Sequence, residues 1–96
     1  MERERALNLL RSRRNELRDH RVASLRLFGS VARDEAREGS DVDLLVAFEV
    51  TPTFSAFMKL RIFLEDLLEA RVDLITEAGL KERARPYVEE DAVLVA

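Results

Sequence analysis

The strongest constraint on this chain is a pair of aspartates inside an otherwise apolar run. Asp41 and Asp43 stand two residues apart at the start of the segment Asp-Val-Asp-Leu-Leu-Val-Ala-Phe. Such a run is typical of a β-strand, in which side chains alternate, so both carboxylates point to one face and Val42, Leu44 and Val46 to the other. Two neighbouring carboxylates beside a core repel each other unless a cation lies between them. The sequence therefore predicts a strand that carries a divalent-metal site.

A glycine-serine turn precedes this strand. Gly29 and Ser30 follow the apolar run 25–28, and Ser40 stands ten residues after Ser30. Glycine permits a sharp turn and close approach of another group, and Ser30 is placed to cap a helix that starts at Val31. A strand that leads into a helix start directs backbone N–H groups and the positive end of the helix dipole at one spot. That spot suits phosphate oxygens, so the sequence predicts metal-dependent chemistry on a nucleoside triphosphate.

A third carboxylate lies in a second apolar run. Asp73 is flanked by Val72 and Leu74, and a strand paired beside the first one brings it to the same end of the sheet. Magnesium is usually held by one or two carboxylates together with substrate phosphates, so we expect the metal and the triphosphate to arrive together. Three carboxylates are enough to bind two ions, one activating the attacking hydroxyl and one stabilising the departing pyrophosphate. Asp73 can also accept the proton of the nucleophile.

These motifs together resemble the signature of the minimal nucleotidyltransferase family within the DNA polymerase β-like superfamily. The matching segments are Gly-Ser-Val-Ala-Arg at 29–33, Ser-Asp-Val-Asp-Leu-Leu-Val at 40–46 and Val-Asp-Leu at 72–74. The resemblance covers essentially the whole chain. It implies one minimal nucleotidyltransferase domain over residues 1–96, with the α/β nucleotidyltransferase fold and a small mixed β-sheet backed by helices.

The resemblance also implies a role for each matching residue. Gly29 and Ser30 contact the triphosphate, Asp41 and Asp43 bind magnesium, and Asp73 completes the metal site. Arg33, the last residue of the first matching segment, is a further candidate for phosphate binding, although an arginine in a first helical turn is more often a surface residue or the partner of an acid. We therefore expect two magnesium ions as cofactors and ATP as the nucleotide substrate.

Many single-domain proteins of this family resemble the antitoxin of a two-gene toxin–antitoxin module whose partner is a HEPN-domain ribonuclease. The implied reaction is transfer of AMP from ATP to a tyrosine hydroxyl of that toxin. Two alternatives stay open: a binding-only antitoxin in which the acids are vestigial, and a nucleotidyltransferase that acts on a small molecule. The second needs an acceptor pocket that so short a chain provides only by oligomerising.

Length and composition limit the remaining possibilities. The chain of 96 residues is one domain, too small to add a separate acceptor-binding domain, so a protein that supplies its own acceptor surface is the simpler second substrate. It has no cysteine and no apolar run near the roughly twenty residues that span a bilayer, which predicts a cytoplasmic protein and no membrane partner. Its net charge of −3 disfavours nucleic-acid binding.

Periodicity predicts helices over residues 2–18, 30–36 and 54–69, and strands over residues 24–29, 41–48 and 71–75. Residues 77–90 are helical in pattern but interrupted at Pro86, which predicts a turn or short helix ending near Arg85 and another helix beginning at Pro86. The apolar tail 92–95 requires a cover. The expected architecture is a mixed sheet with helices on one side and the other face left as the active cleft. The tail and the helix 54–69 also leave room for a homo-oligomer or a stable complex with a toxin.

The remaining polar candidates receive no catalytic role. Ser40 is interpreted as a turn residue, His20 as part of a solvated loop and Tyr87 as a partly buried packing residue. Charged runs usually mark exposed faces, and this interpretation covers the acids Asp34, Glu35, Glu38, Glu89, Glu90 and Asp91.

Overall fold

Four β-strands and five α-helices make up the computed structural model, which describes all 96 residues. The helices are α1 (Arg3–Arg11), α2 (Arg14–Asp19), α3 (Gly29–Ala32), α4 (Phe54–Leu68) and α5 (Arg85–Asp91). The strands are β1 (Val22–Phe28), β2 (Val42–Phe48), β3 (Val72–Thr76) and β4 (Val93–Leu94), and a short 3₁₀ helix spans Glu82–Ala84.

The strands form one mixed sheet in the order β3-β2-β1-β4. β1 runs antiparallel to both β2 and β4, whereas β2 and β3 are parallel and are joined by the crossover through α4. The mixed sheet that the sequence predicts is therefore confirmed.

One face of the sheet forms the core with the helices. Val42, Leu44 and Val46 are fully buried, as their alternation along β2 predicts. Helices α1, α2 and α4 close the core from the same side with their apolar stripes. These stripes comprise Ala6, Leu7, Leu10, Leu17, Leu60, Leu64 and Leu68.

The opposite face of the sheet is only partly open. Asp43 lies on it, but the next residue on the same face, Leu45, is 2% exposed and stands outside the main core. Its register partners Arg26 and Ile75 are half-buried, so side chains of the neighbouring strands flank it. Helix α5 packs against β1 and α3. The expectation that this whole face forms a cleft is therefore too simple, because Leu45 in its middle is buried.

The N-terminal segment is two helices, and the prediction of one helix over 2–18 is wrong in that respect. Ser12 Oγ donates a hydrogen bond to the Leu9 carbonyl at 2.6 Å, and Arg13 leaves the helical region with φ −117° and ψ 30°. Serine side chains compete for backbone groups in this way, which interrupts a helix. The predicted apolar face is nevertheless correct, because Leu7, Leu10 and Leu17 are all buried.

The helix after the glycine turn is shorter than predicted. It ends at Ala32, and Asp34 takes the left-handed conformation with φ 59°, which stops a helix. Ser30 is not its cap: the N-cap is Phe28, which provides no side-chain hydrogen bond. The chain turns at Gly29, one residue before the predicted cap Ser30, because Gly29 itself adopts φ 75°.

The C-terminal half follows the sequence more closely. Thr53 Oγ1 accepts a hydrogen bond from the Ala56 N–H at 3.0 Å and caps α4. Residues 77–79 are a turn, the 3₁₀ helix ends at Ala84, and α5 begins beside Pro86, so the predicted interruption at this proline is confirmed. The apolar tail is covered only in part: β4 pairs with β1 and Val95 is 2% exposed, but Leu94 is 57% exposed.

Candidate active site

Asp43 and Asp73 lie side by side at the start of parallel strands. They are register partners in the pairing of β2 with β3, next to the core pairs Val42–Val72 and Leu44–Leu74. Neighbouring strands are about 4.8 Å apart, and register partners point to the same face. Asp43 is half-buried and Asp73 is exposed. The structure thus places an accessible carboxylate directly beside a partly desolvated one.

The surroundings of Asp43 disfavour its charged form. Its pKa is raised from 3.8 to about 6, first by burial and then by the negative charges of Asp73 and Asp41. The positive charge of Arg33 acts in the opposite direction and lowers this pKa. A cation placed against Asp43 would reduce both the repulsion between the carboxylates and the free-energy cost of the partly buried charge.

Asp41 is held away from the other two acids. It precedes β2, and its Oδ1 lies 3.3 Å from Nε of Arg71, the residue before β3. Although this distance makes an ion pair, the two groups are not aligned as a hydrogen bond, and Oδ1 is buried without a hydrogen-bonding partner. The three carboxylates consequently do not form a ready-made three-ligand cluster. Arg71 acts as the counter-ion of Asp41 in this arrangement.

The donor set nevertheless fits a hard divalent cation. Asp43 and Asp73 offer adjacent carboxylate oxygens that repel each other, and Asp41 offers a buried oxygen that lacks a hydrogen bond. Magnesium prefers such oxygen ligands and commonly completes its shell with substrate phosphates and water. Asp43 and Asp73 would hold the ion, and Asp41 would join them after it separates from Arg71.

Gly29 brings the turn directly against Asp43. Its φ of 75° is one that residues with a side chain rarely adopt. A Cβ at this position would overlap Asp43 Oδ2 and lie 3.0 Å from its Cγ. Only glycine therefore allows the carboxylate and the turn to be in contact, so the turn predicted to bind phosphate lies against one of the predicted metal ligands. Ser30 follows half-buried in α3.

Arg33, at the C-terminal end of α3, is held by two acids. Its Nη1 donates a hydrogen bond to Asp91 Oδ2 at 2.6 Å, and its Nε donates one to Glu35 Oε2 at 3.2 Å. These contacts raise the pKa of Arg33, that with Asp91 most strongly. The Asp91 side chain is only 19% exposed, so its interpretation as part of an exposed charged run is wrong. The sequence gives only a weak indication that Asp91 is shielded from solvent: this residue stands three residues after the buried Val88, on the same side of α5.

The other polar candidates stay outside this site. Ser40 is a turn residue as predicted, since its Oγ accepts from the Arg37 N–H at 3.0 Å. The ring of His20 lies 5.1 Å from that of Phe63. Tyr87 is 74% exposed, so its interpretation as a packing residue is wrong; the buried residue of α5 is the adjacent Val88.

The acids open onto a surface rather than into a cavity. A cavity of about 410 Å³ lies beside Asp41 and is lined partly by Arg37, Ser40 and Arg71. Neither Asp43 nor Asp73 lines any of the four cavities in the structure.

None of the helices is long and apolar enough to cross a membrane.

A family model described as "Nucleotidyltransferase domain" matches residues 8–95. The chain belongs to this family. Protein adenylyltransferase MntA of Thermococcus cleftensis is 40% identical over 89 residues, which cover 92% of this chain and 90% of that protein. These findings confirm the predicted class of enzyme, a nucleotidyltransferase.

Solved structures confirm the predicted fold. A minimal nucleotidyltransferase is 42% identical, with a TM-score of 0.83, and the match covers 97% of this chain and 95% of that one. A chain from the complex of a tri-AMPylated Shewanella oneidensis HEPN toxin with its MNT antitoxin is 22% identical, with a TM-score of 0.68. That match covers 94% of this chain and 71% of the other, and shows a shared fold.

Proposed function

We propose that this chain transfers AMP from ATP to a tyrosine hydroxyl of a HEPN-domain ribonuclease toxin, with magnesium ions as cofactors, and so acts as an antitoxin. The observation that carries the proposal is the contact of Asp43 with both Asp73 and the turn at Gly29. Relatives named protein adenylyltransferase support the reaction. Complexes of structural neighbours with HEPN toxins support the partner.

The residues of the site divide the work of the transfer. The turn at Gly29 and Ser30 leads into α3 and offers backbone N–H groups to the triphosphate, and Arg33 offers its free Nη2 to the phosphate oxygens. The acceptor oxygen attacks the α-phosphorus, the bond from that phosphorus to the bridging oxygen breaks, and pyrophosphate leaves. Asp73 is exposed and takes the proton of the acceptor hydroxyl. Bound magnesium ions would lower the pKa of that hydroxyl and stabilise the charge on pyrophosphate.

The open position of the acids favours a macromolecular acceptor. Asp43 and Asp73 line no cavity, so the chain by itself encloses no small acceptor beside them. A protein segment that carries its own tyrosine can reach an open surface without such a pocket. We therefore place the small-molecule alternative second. The reaction would take place in the cytoplasm, where ATP and magnesium are available.

Labelling of the partner tests the proposal against the binding-only alternative. The purified chain is incubated with labelled ATP, magnesium and its co-expressed partner toxin, next to the Asp41→Asn variant. Asp66→Asn is a matched control, because Asp66 is exposed on α4 outside the site. Label on the partner with wild type and control, but not with Asp41→Asn, supports catalysis. Neutralisation of the toxin without label would overturn it in favour of binding alone.

A further inference from the structure

The guanidinium of Arg33 is fixed at two nitrogens and open at the third. Asp91 binds Nη1 at 2.6 Å and Glu35 binds Nε at 3.2 Å, whereas Nη2 makes no hydrogen bond or ion pair. An arginine side chain has many rotamers, and ordering it costs entropy. Two carboxylates that hold Nε and Nη1 supply this ordering in advance and leave N–H donors available to a ligand.

The two carboxylates differ in how firmly they are themselves held. Glu35 lies in the irregular segment after α3, and its side chain is 67% exposed. Asp91 ends α5, which is anchored on one side by Val88 and on the other by the pairing of Val93 with Leu27. Its side chain is 19% exposed. The short contact with Asp91 therefore connects Arg33 to the sheet, and the contact with Glu35 connects it only to a loop.

We propose that Asp91 is a positioning residue, which orients the Arg33 guanidinium for contact with the triphosphate; the backbone N–H of Arg33 donates to the Gly29 carbonyl at 3.1 Å, so the arginine lies one helical turn after Gly29. The inference rests on the proposed function and assigns to the last helix a part in nucleotide binding. Arg33 is the group that touches the phosphates, and Asp91 acts only through it.

Positioning and simple charge neutralisation predict opposite results. If Asp91 only neutralised Arg33, its removal would free positive charge and strengthen the binding of a polyanion. If Asp91 orients Arg33, its removal lets the side chain sample other rotamers and weakens binding. The sign of the change in triphosphate affinity therefore decides between the two roles.

The test measures binding of a non-hydrolysable ATP analogue with magnesium by calorimetry. We expect Asp91→Asn to raise the Kd about tenfold, and Glu35→Gln, which removes the exposed partner of the same guanidinium, to raise it less than about threefold. Asp91→Glu keeps the charge and should recover part of the affinity. The affinity for adenosine, which has no phosphate, should not change. In turnover assays the KM for ATP should rise with little change in kcat.

A fold control separates positioning from damage to α5. Glu89→Gln removes the pair of Glu89 with Arg85 on the same helix and should leave the Kd unchanged. Equal or tighter binding of the analogue by Asp91→Asn would overturn the inference while the proposed function stands. Loss of adenosine binding as well, or a wild-type Kd in Asp91→Asn with only a lowered Tm, would show a structural role and also overturn it. Absence of analogue binding by the wild type would instead refute the proposed function.

Discussion

Asp43→Asn is expected to stabilise the metal-free protein at neutral and alkaline pH. The pKa of Asp43 is about 6 in the folded chain against 3.8 ordinarily, and one pKa unit corresponds to about 1.4 kcal/mol, which gives an upper value of about 3 kcal/mol. Because the side chain is only half-buried, solvent screening reduces this to about 1–2 kcal/mol. For a domain of this size, that raises the Tm by roughly 5–10 °C.

The sign of the pH dependence follows from proton uptake. The folded chain binds the Asp43 proton more tightly than the unfolded chain, so the free energy of unfolding falls as the pH rises from about 4 to about 6 and then levels off. The advantage of the asparagine variant should therefore be absent near pH 4 and complete above pH 7. It should also be specific to Asp43, because Asp66 lies outside the site and Asp66→Asn should shift the Tm by little at either pH.

Thermal unfolding followed by circular dichroism, in chelator at pH 4 and pH 8, measures this difference. Magnesium should then raise the Tm of the wild type and raise that of Asp43→Asn much less, because the variant lacks the charge that attracts the ion. A variant that is less stable than wild type at pH 8 would refute the assigned electrostatics. Equal magnesium shifts in the two proteins would refute the metal site itself.

Three further perturbations test other parts of the site and fold. Gly29→Ala should destabilise the fold by about 2–4 kcal/mol in urea unfolding, and Gly39→Ala by about 1 kcal/mol. Both glycines have positive φ, but nothing lies within 4 Å of a Cβ at Gly39. Equal losses of stability would contradict the close contact at Gly29. Glu69→Gly should stabilise the protein by about 0.5–1 kcal/mol in the same assay, since this helix cap has φ 51°; a loss would contradict the cap. Arg71→Gln frees Asp41 from its ion pair, so it should lower the magnesium concentration that half-saturates the thermal shift by about threefold. A higher half-saturating concentration would show that Arg71 does not compete with the ion.

The parts of the site that follow from local pattern were predictable. Asp41 and Asp43 alternate with buried residues on β2, and the positive φ of Gly29 follows from its place at a sharp turn. Strands β1, β2 and β3 and the long helix α4 were within two residues of their predicted bounds for the same reason. These features depend on neighbours in sequence, which a single chain displays directly.

The contacts that cross the fold were not predictable. Asp91 reaches Arg33 across 58 residues, and in sequence it cannot be distinguished from the exposed glutamates beside it. Arg71 contacts Asp41 because β2 and β3 are parallel and start at the same edge of the sheet. The sequence predicts that these two strands pair, but it does not give the register of the pairing. Tyr87 was misassigned for a similar reason, since the orientation of α5 depends on its packing against β1.

The parallel pairing of β2 with β3 also determines where this chain tolerates changes in length. One residue inserted or deleted at the start of either strand, before the aspartate, would exchange the two faces beyond that point and turn Asp43 or Asp73 toward the interior. It would simultaneously bring Leu44 or Leu74 into water. Insertions such as epitope tags or reporter loops are therefore expected to be accepted in the connections 36–40, 49–53 and 77–81, and rejected within the strands themselves.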